Sequence, residues 1–207
     1  EGAQKVFLFT GDRDGFYRPE ESVKPSTLRL RNVYGEGAFE RVIASIESKH
    51  RWINTVARAR LYPKHGRYVS LLGFSKLSLY WAARDFAIAN HCSQIWDGAT
   101  AYMHRYPDQN RRVGIPLLAE WLGQKNINLA HPVYHGGATV EDQLFERRLI
   151  PFSQHRGTPR DQQVNYSEQI IFALASKYLI ARDGYRTFTQ KANHVYRDTL
   201  RLIDELA

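Results

Sequence analysis

The chain has 207 residues, of which 24% are charged and 43% hydrophobic, with a net charge of +8 and an isoelectric point near 9.6. These ordinary fractions exclude a disordered chain and a coiled coil, and the length is enough for one domain with a buried core. The sequence has no apolar run of the roughly eighteen residues that a membrane span needs and no signal-peptide pattern at Glu1. We therefore expect a cytoplasmic protein, with a membrane attachment only through a segment absent from this chain.

Residues 1–35 are predicted to be an extended N-terminal segment that is irregular or forms a small hairpin. This segment contains two strand-like runs, KVFLF and TLRLRNVY, and the second run alternates apolar and basic residues. Alternation with a period of two is typical of a strand with one buried face.

The run FTGDRDGFYRPEES, residues 9–22, has the register of an EF-hand loop. Asp12, Asp14 and Glu21 take positions that supply carboxylates to calcium, and Gly15 takes the position of the sharp turn. However, two arginines lie inside the loop, and a proline interrupts the helix that should come after it. We therefore predict an Asp/Gly turn without a tight calcium site, and calcium binding at Asp12, Asp14 and Glu21 is the alternative.

From Gly37 onward the pattern is mainly helical, so the predicted fold class is mainly α, with one globular helical domain over residues 1–207. Apolar residues recur at intervals of three and four, which is typical of helices with a buried face. Prolines and glycines bound these runs. The predicted helices cover residues 37–63, 69–90, 96–106, 115–124, 139–150, 167–182 and 187–206, and exposed loops are predicted at 126–137 and 153–165.

A basic segment is the strongest functional signal in the sequence. Between Glu47 and Asp85 there is no acidic residue, and the run KHRWINTVARARLYPKHGRY interleaves cations with aromatic residues. Surfaces that bind phosphates and bases, or acidic peptides, use this mixture. Arg51 and Arg58 are expected on one helix face, and the alternative is a solvated face whose aromatic residues point inward. The candidate binding residues are Lys49, Arg51, Trp52, Arg58, Arg60, Lys64 and Arg67.

A second candidate site is the run RDFAIANH, in which Arg84 and His91 lie seven residues apart. This spacing resembles the Arg-x(4–6)-His signature of HEPN ribonucleases, which implies cleavage of RNA without a metal. An arginine can stabilise developing phosphate charge, and a histidine can transfer a proton. The alternative is an ordinary helix end at which Arg84 pairs with a surface acid.

Histidines suggest a zinc site only weakly. His131 and His135 lie four residues apart in HPVYHGG, and His104, His155 and His194 add further imidazoles. A proline between the first two argues against the helix that this spacing needs, and there is no glutamate in metalloprotease register. A single cysteine, Cys92, excludes an internal disulfide and a thiolate metal cluster and fits a reducing compartment. We predict no metal and no cofactor.

Several fragments together resemble the cytoplasmic domain of the DotM/TrbA family, subunits of type IVB secretion and conjugation machines. Lys49-His50 followed by Thr55-Val56 is the most specific of these matches, and the resemblance covers about half of the chain. It implies a helical, basic, non-enzymatic domain that helps to recruit substrates with acidic signals, through Lys49, Arg51, Arg58 and Arg60. The fragments are QKVFLFTGDRDGF, KHRWINTV, FSKLSLYW, ATAYMH and RRVGIPLLAE, in the family's order.

The leading hypothesis from the sequence is therefore a non-enzymatic, mainly helical domain whose basic surface docks an acidic protein or peptide. Such a domain would fit a secretion or conjugation apparatus. The alternative hypothesis is an RNA-binding or metal-independent RNA-cleaving helical domain. Net charge does not separate these two, because both partners are anionic.

Overall fold

The computed structural model describes residues 5–13, 19–99, 101, 107–135, 142–143, 145–147 and 166–206. The chain divides into two compact units: the first contains Glu1–Glu47 and Gly136–Val164, and the second contains Ser48–His135 and Asn165–Ala207. Helices dominate the described residues and the strands are short, which confirms the mainly α fold class.

Two parallel strands form the sheet of the first unit. β1 (Phe7–Asp12) pairs with β2 (Glu40–Ser45) along the full length of both strands, and α1 (Pro19–Tyr34) lies between them in sequence. Parallel neighbours need a long crossover connection, because a tight turn can join only antiparallel strands. The predicted N-terminal hairpin is therefore wrong. The helix predicted over 37–63 is wrong only at its start, because β2 occupies residues 40–45 and the helical segment begins at Glu47.

Residue propensities explain both errors in the first unit. α1 contains the run TLRLRNVY, in which alternation predicts a strand. Leucine and arginine are good helix formers, and here this propensity outweighs the alternation. β2 contains the β-branched residues Val42 and Ile43, which favour a strand over the predicted helix. α1 also continues past Pro25, where the sequence predicts an interruption.

A nearly continuous helical segment opens the second unit. α2 (Glu47–Trp52), a π-helical turn (Ile53–Ala57) and α3 (Arg58–His65) succeed one another without a break. α3 ends at Gly66, which has a φ of 54°. Glycine adopts such positive values without the strain that a Cβ atom causes. The helix therefore ends just after Pro63, where the sequence predicts its end.

The next helical prediction is only partly correct. The sequence predicts one helix over residues 69–90, whereas the structure has a 3-10 helix (Gly66–Phe74) and then α4 (Leu77–Ala89). Between them, Ser75 has an extended backbone and its hydroxyl donates to the carbonyl of Leu72 at 2.9 Å. Serine competes for backbone hydrogen bonds in this way, which favours a helix boundary.

A second pair of parallel strands, β3 (Gln94–Trp96) and β4 (Asn128–Ala130), lies within the second unit. α5 (Gly114–Gly123) lies between them in sequence and confirms the helix predicted over 115–124. The helix predicted to start at Trp96 is wrong over its described start, because residues 97–99 have no regular structure. The loop predicted at 126–137 contains β4. Strands of three residues are too short to show an alternating pattern.

The last two predicted helices are confirmed as α6 (Tyr166–Asp183) and α7 (Tyr185–Asp204). Gly184 joins them with a φ of 77°, which again suits glycine. α7 packs its apolar face into the core of the second unit, together with buried residues of the 3-10 helix and α5. The buried residues of α7 are Phe188, Ala192, Val195, Tyr196, Thr199, Leu200 and Ile203.

Two predictions fall mainly on residues outside the described ones. The exposed loop predicted at 153–165 is one of them, and most of the short helix predicted over 139–150 is the other. Within the described ranges, no helix has both the length and the apolar character needed to cross a membrane.

Candidate docking surface

The basic segment runs through α2, the π-helical turn, α3 and the 3-10 helix. In a π-helical turn each backbone hydrogen bond joins residues i and i+5, so the turn contains one more residue than an α-helical turn. The residues after the turn therefore lie on a different face of the helix than α-helical spacing predicts. Arg51 lies before this turn and is exposed, whereas Arg58 lies after it and is half-buried. Their spacing, which would place both on one face of a regular α-helix, therefore does not do so here.

The first cation of the segment, Lys49, has a structural role. Its ammonium group lies 3.0 Å from a carboxylate oxygen of Asp85 and 5.1 Å from the ring centre of Trp81. Trp52 packs edge-on against the same indole, with ring centres 5.5 Å apart. Lys49 and Trp52 thus pack α2 against α4. Contact of these two residues with a partner stays a prediction.

Lys64 is also engaged within the unit. Its ammonium group and the Nε2 atom of His65 lie 2.6 Å and 2.8 Å from the same carboxylate oxygen of Asp198 in α7. Burial raises the pKa of Asp198, but the hydrogen bonds from Lys64 and His65 outweigh burial and lower it overall. The carboxylate therefore stays ionised and ties the end of α3 to α7.

Arg58, Arg60 and Arg67 differ from these lysines, because none has an acidic side chain within ion-pair distance among the described residues. Arg60 and Arg67 are exposed, and Arg58 is half-buried. Arg67 donates a hydrogen bond of 2.6 Å to the hydroxyl of Tyr178 in α6. The uncompensated positive charge of the segment is therefore concentrated at these three arginines.

Two of these arginines border a groove of about 580 Å³ in the second unit. One face of the helical segment forms one wall, because its lining residues are spaced by three and four positions. The 3-10 helix and α6 form the rest, and none of the described lining residues is acidic. The lining residues are Thr55, Arg58, Ala59, Tyr62, Arg67, Val69, Ser70, Ala175, Tyr178 and Leu179.

The groove has an apolar floor and an exposed aromatic rim. Val69 and Leu179 are 3% and 1% exposed, whereas Tyr62 and Tyr178 are 58% and 49% exposed. Sequence reasoning misses Tyr178, because this residue lies far from the basic segment along the chain. Its contact with Arg67 depends on how α6 packs against the 3-10 helix. The arrangement can hold an apolar group between two cations.

The carboxylate of Asp183, which does not line the groove, is hydrogen-bonded to three neighbouring side chains. Asp183 accepts hydrogen bonds from Arg182 at 2.7 Å, from Lys191 at 3.0 Å and from Tyr68 at 2.8 Å. The bonds from Arg182, Lys191 and Tyr68 hold the pKa of Asp183 well below its usual range. Burial, and then the bond to Asp183, raise the pKa of Tyr68 to about 12. Asp183 thus connects the turn before α7 to Tyr68 of the 3-10 helix.

The structure does not bring Arg84 and His91 into one solvent-accessible site. Arg84 is 1% exposed, its Nη1 atom lies 2.5 Å from Asp204, and its guanidinium carbon lies 3.8 Å from the ring centre of Trp121. His91 is exposed beyond the end of α4 with a φ of 53°. Arg84 is therefore an internal ion-pair partner, and its position does not support contact with an RNA phosphate.

His131 and His135 also have separate surroundings. His131 comes directly after β4, and neither of its ring nitrogens has a hydrogen-bond partner among the described residues. Burial lowers the pKa of His131. The Nε2 atom of His135 lies 2.6 Å from Nη1 of Arg111. Among the other candidate zinc ligands, His194 is exposed, and His104 and His155 lie outside the described residues.

Among the described residues no three His, Cys, Asp or Glu side chains are placed to hold a metal ion.

Beside His131 lies a polar cluster that sequence reasoning missed. The Tyr80 hydroxyl donates to Asp97, the residue directly after β3, and the backbone N–H of Lys76 donates to Asp108 at 2.5 Å. Burial raises the pKa of Asp108 to about 6, although the Lys76 bond opposes the shift. Asp108 is 1% exposed, so this cluster is largely internal. The residues are spread over the sequence and form no motif.

The calcium hypothesis falls partly outside the described residues. Asp12 ends β1 and Glu21 lies in α1, whereas Asp14 lies beyond the described ranges. The expectation that no tight calcium site exists here therefore stays a prediction.

Comparison with known proteins returned no match: no protein-family model fits the chain, and no curated protein or solved structure is significantly similar to it. The resemblance to DotM/TrbA domains therefore stays a prediction. The docking surface rests on the geometry of the chain itself.

Proposed function

We propose that this chain is a non-enzymatic binding domain that docks an acidic protein or peptide at the groove. One observation carries the proposal: Arg58 and Arg67 border the groove, and neither has an acidic partner among the described residues. A partner carboxylate would meet two cations whose charge no neighbouring carboxylate compensates. Attraction is stronger in such a partly desolvated groove than between fully exposed charges.

Two further features support an acidic partner. The net charge of +8 favours encounter with an anion, since summed charge raises association rates. The resemblance to DotM/TrbA domains implies substrates with acidic signals, in a secretion or conjugation apparatus. This cellular setting is part of the proposal.

A second candidate function, binding of single-stranded RNA, is favoured by one observation. Tyr62 is 58% exposed on the groove rim, where a base could stack on it. RNA cleavage has less support, because Arg84 is buried and paired with Asp204.

The experiment uses a double charge reversal, Arg58→Glu with Arg67→Glu, and measures binding of labelled polyglutamate by fluorescence anisotropy. We expect affinity to fall by about tenfold or more, because each reversal replaces attraction by repulsion. The melting temperature should fall only modestly, because Arg67 is exposed and loses one hydrogen bond to Tyr178, and Arg58 is half-buried. Exposed charges contribute about 0–1 kcal/mol to folding. Arg58 and Arg67 have no ion pair to lose among the described residues.

The matched control is Arg112→Glu with Arg186→Glu, which changes the net charge equally. Both arginines are exposed and neither lines the groove. Retained affinity in this control supports a local site. Equal weakening in both double variants would show a response to net charge alone and would reject the proposal. Tighter binding of single-stranded RNA than of polyglutamate would favour the second candidate.

A further inference from the structure

The apolar floor of the groove indicates that negative charge is not the only property that a partner needs. Between Arg58 and Arg67 the lining is apolar, with buried Val69 and Leu179 below and two small alanines, Ala59 and Ala175, on the walls. Small side chains at those positions leave the space open. A purely anionic chain would pair with the arginines and leave this apolar surface uncovered.

The size of the groove fits an inserted side chain. Its volume of about 580 Å³ lies within the roughly 300–1,000 Å³ of pockets that bury small ligands. Tyr62 and Tyr178 flank the opening and expose large aromatic surfaces. Tyrosine and arginine are enriched among the residues that contribute most of the binding energy at protein interfaces.

The surroundings of Tyr178 favour a peptide over a nucleic acid. The guanidinium carbons of Arg67 and Arg182 lie 5.9 Å and 5.8 Å from its ring centre. A base that stacked on this ring would compete with both cations, and the Tyr178 hydroxyl already accepts from Arg67. An apolar side chain needs only the floor and the ring edges.

Resting on the docking function proposed above, we infer that the occupant is an acidic segment with an apolar anchor. A leucine-like or aromatic side chain enters between Tyr62 and Tyr178 and covers Leu179, and carboxylates on either side of that anchor pair with Arg58 and Arg67. The partner class is therefore an acidic peptide that is also apolar at one position. Recognition depends on the charge and the anchor together.

The test compares two labelled peptides of equal charge: polyglutamate, and polyglutamate interrupted by one central leucine. We expect the leucine peptide to bind about tenfold more tightly, because the anchor buries apolar surface. Ala59→Leu narrows the groove without changing any charge, and leucine is also a good helix former. This variant should remove the difference in affinity between the two peptides.

Ala89→Leu is the matched control, since Ala89 is exposed in α4 and does not line the groove. It should leave both affinities unchanged. Equal affinity of the two peptides for the unsubstituted protein, with polyglutamate binding still lost on reversal of Arg58 and Arg67, would overturn the anchor and leave the docking function standing. A failure of both peptides to bind, or their displacement by single-stranded RNA that binds more tightly, would overturn both proposals.

Discussion

Replacement of Asp204 by alanine tests the buried ion pair that joins three helices of the second unit. Asp204 accepts from Arg84 in α4 at 2.5 Å and from the indole N–H of Trp121 in α5 at 2.9 Å, and itself ends α7. Arg84 is 1% exposed at its side chain, whereas Asp204 is 34% exposed. Removal of the carboxylate leaves a buried cation with only Asp85, 4.0 Å from its Nε atom, nearby among the described residues.

The size of the loss can be derived from these exposures. Breaking a buried ion pair by removing one partner costs about 3–5 kcal/mol, because the remaining charge stays desolvated. We expect the lower end, about 3 kcal/mol, since water screens the partly exposed Asp204. For a chain of this size that loss lowers the melting temperature by roughly 6–12 °C. Urea denaturation followed by circular dichroism measures the free energy, and thermal melting checks it.

Two further variants make the experiment decisive. Asp85→Ala removes the other carboxylate near Arg84, and because Asp85 is 45% exposed we expect a loss of only about 1 kcal/mol or less. Arg84→Met combined with Asp204→Leu should recover most of the stability, because an apolar pair leaves no buried charge. Equal losses for Asp204→Ala and Asp85→Ala, or no recovery in the double variant, would refute the reasoning.

Three other predictions concern the described core and the N-terminal loop. Gly114→Ala should destabilise the protein by several kcal/mol in urea denaturation, because its Cβ atom would collide with the backbone of Pro107 and Asp108. Gly123→Ala in the same helix should be neutral or stabilising, because its Cβ atom would meet nothing within 4 Å. Asp108 has its pKa raised by burial to about 6 from 3.8, so the folded state resists its ionisation and loses stability as the pH rises from about 4 to 6. Asp108→Asn keeps an acceptor for the Lys76 N–H, and its free energy of unfolding should therefore rise relative to that of the unsubstituted protein between about pH 4 and 6. If the difference in unfolding free energy between the two proteins were the same at both pH values, the prediction would be wrong. Titration calorimetry should detect no micromolar calcium affinity, and a site that disappears in Asp14→Ala would disprove that expectation.

The sequence alone determined the helices that carry long apolar patterns. α7 was predictable because its buried residues recur at three and four positions over most of its length. The turn at Gly184 was predictable because a glycine comes after an aspartate between two such patterns. The basic segment was also predictable, because the sequence itself shows that no acidic residue lies between Glu47 and Asp85.

Only the tertiary structure decided which cations have partners. Lys49 pairs with Asp85, Lys64 with Asp198 and Arg84 with Asp204, whereas Arg58 and Arg67 border the groove. Local patterns cannot make this distinction, because Asp198 and Asp204 lie more than a hundred residues along the chain from their partners. The parallel strand pairs escaped prediction for the same reason. Their hydrogen bonds join segments distant in sequence, and the short strands show little periodicity of their own.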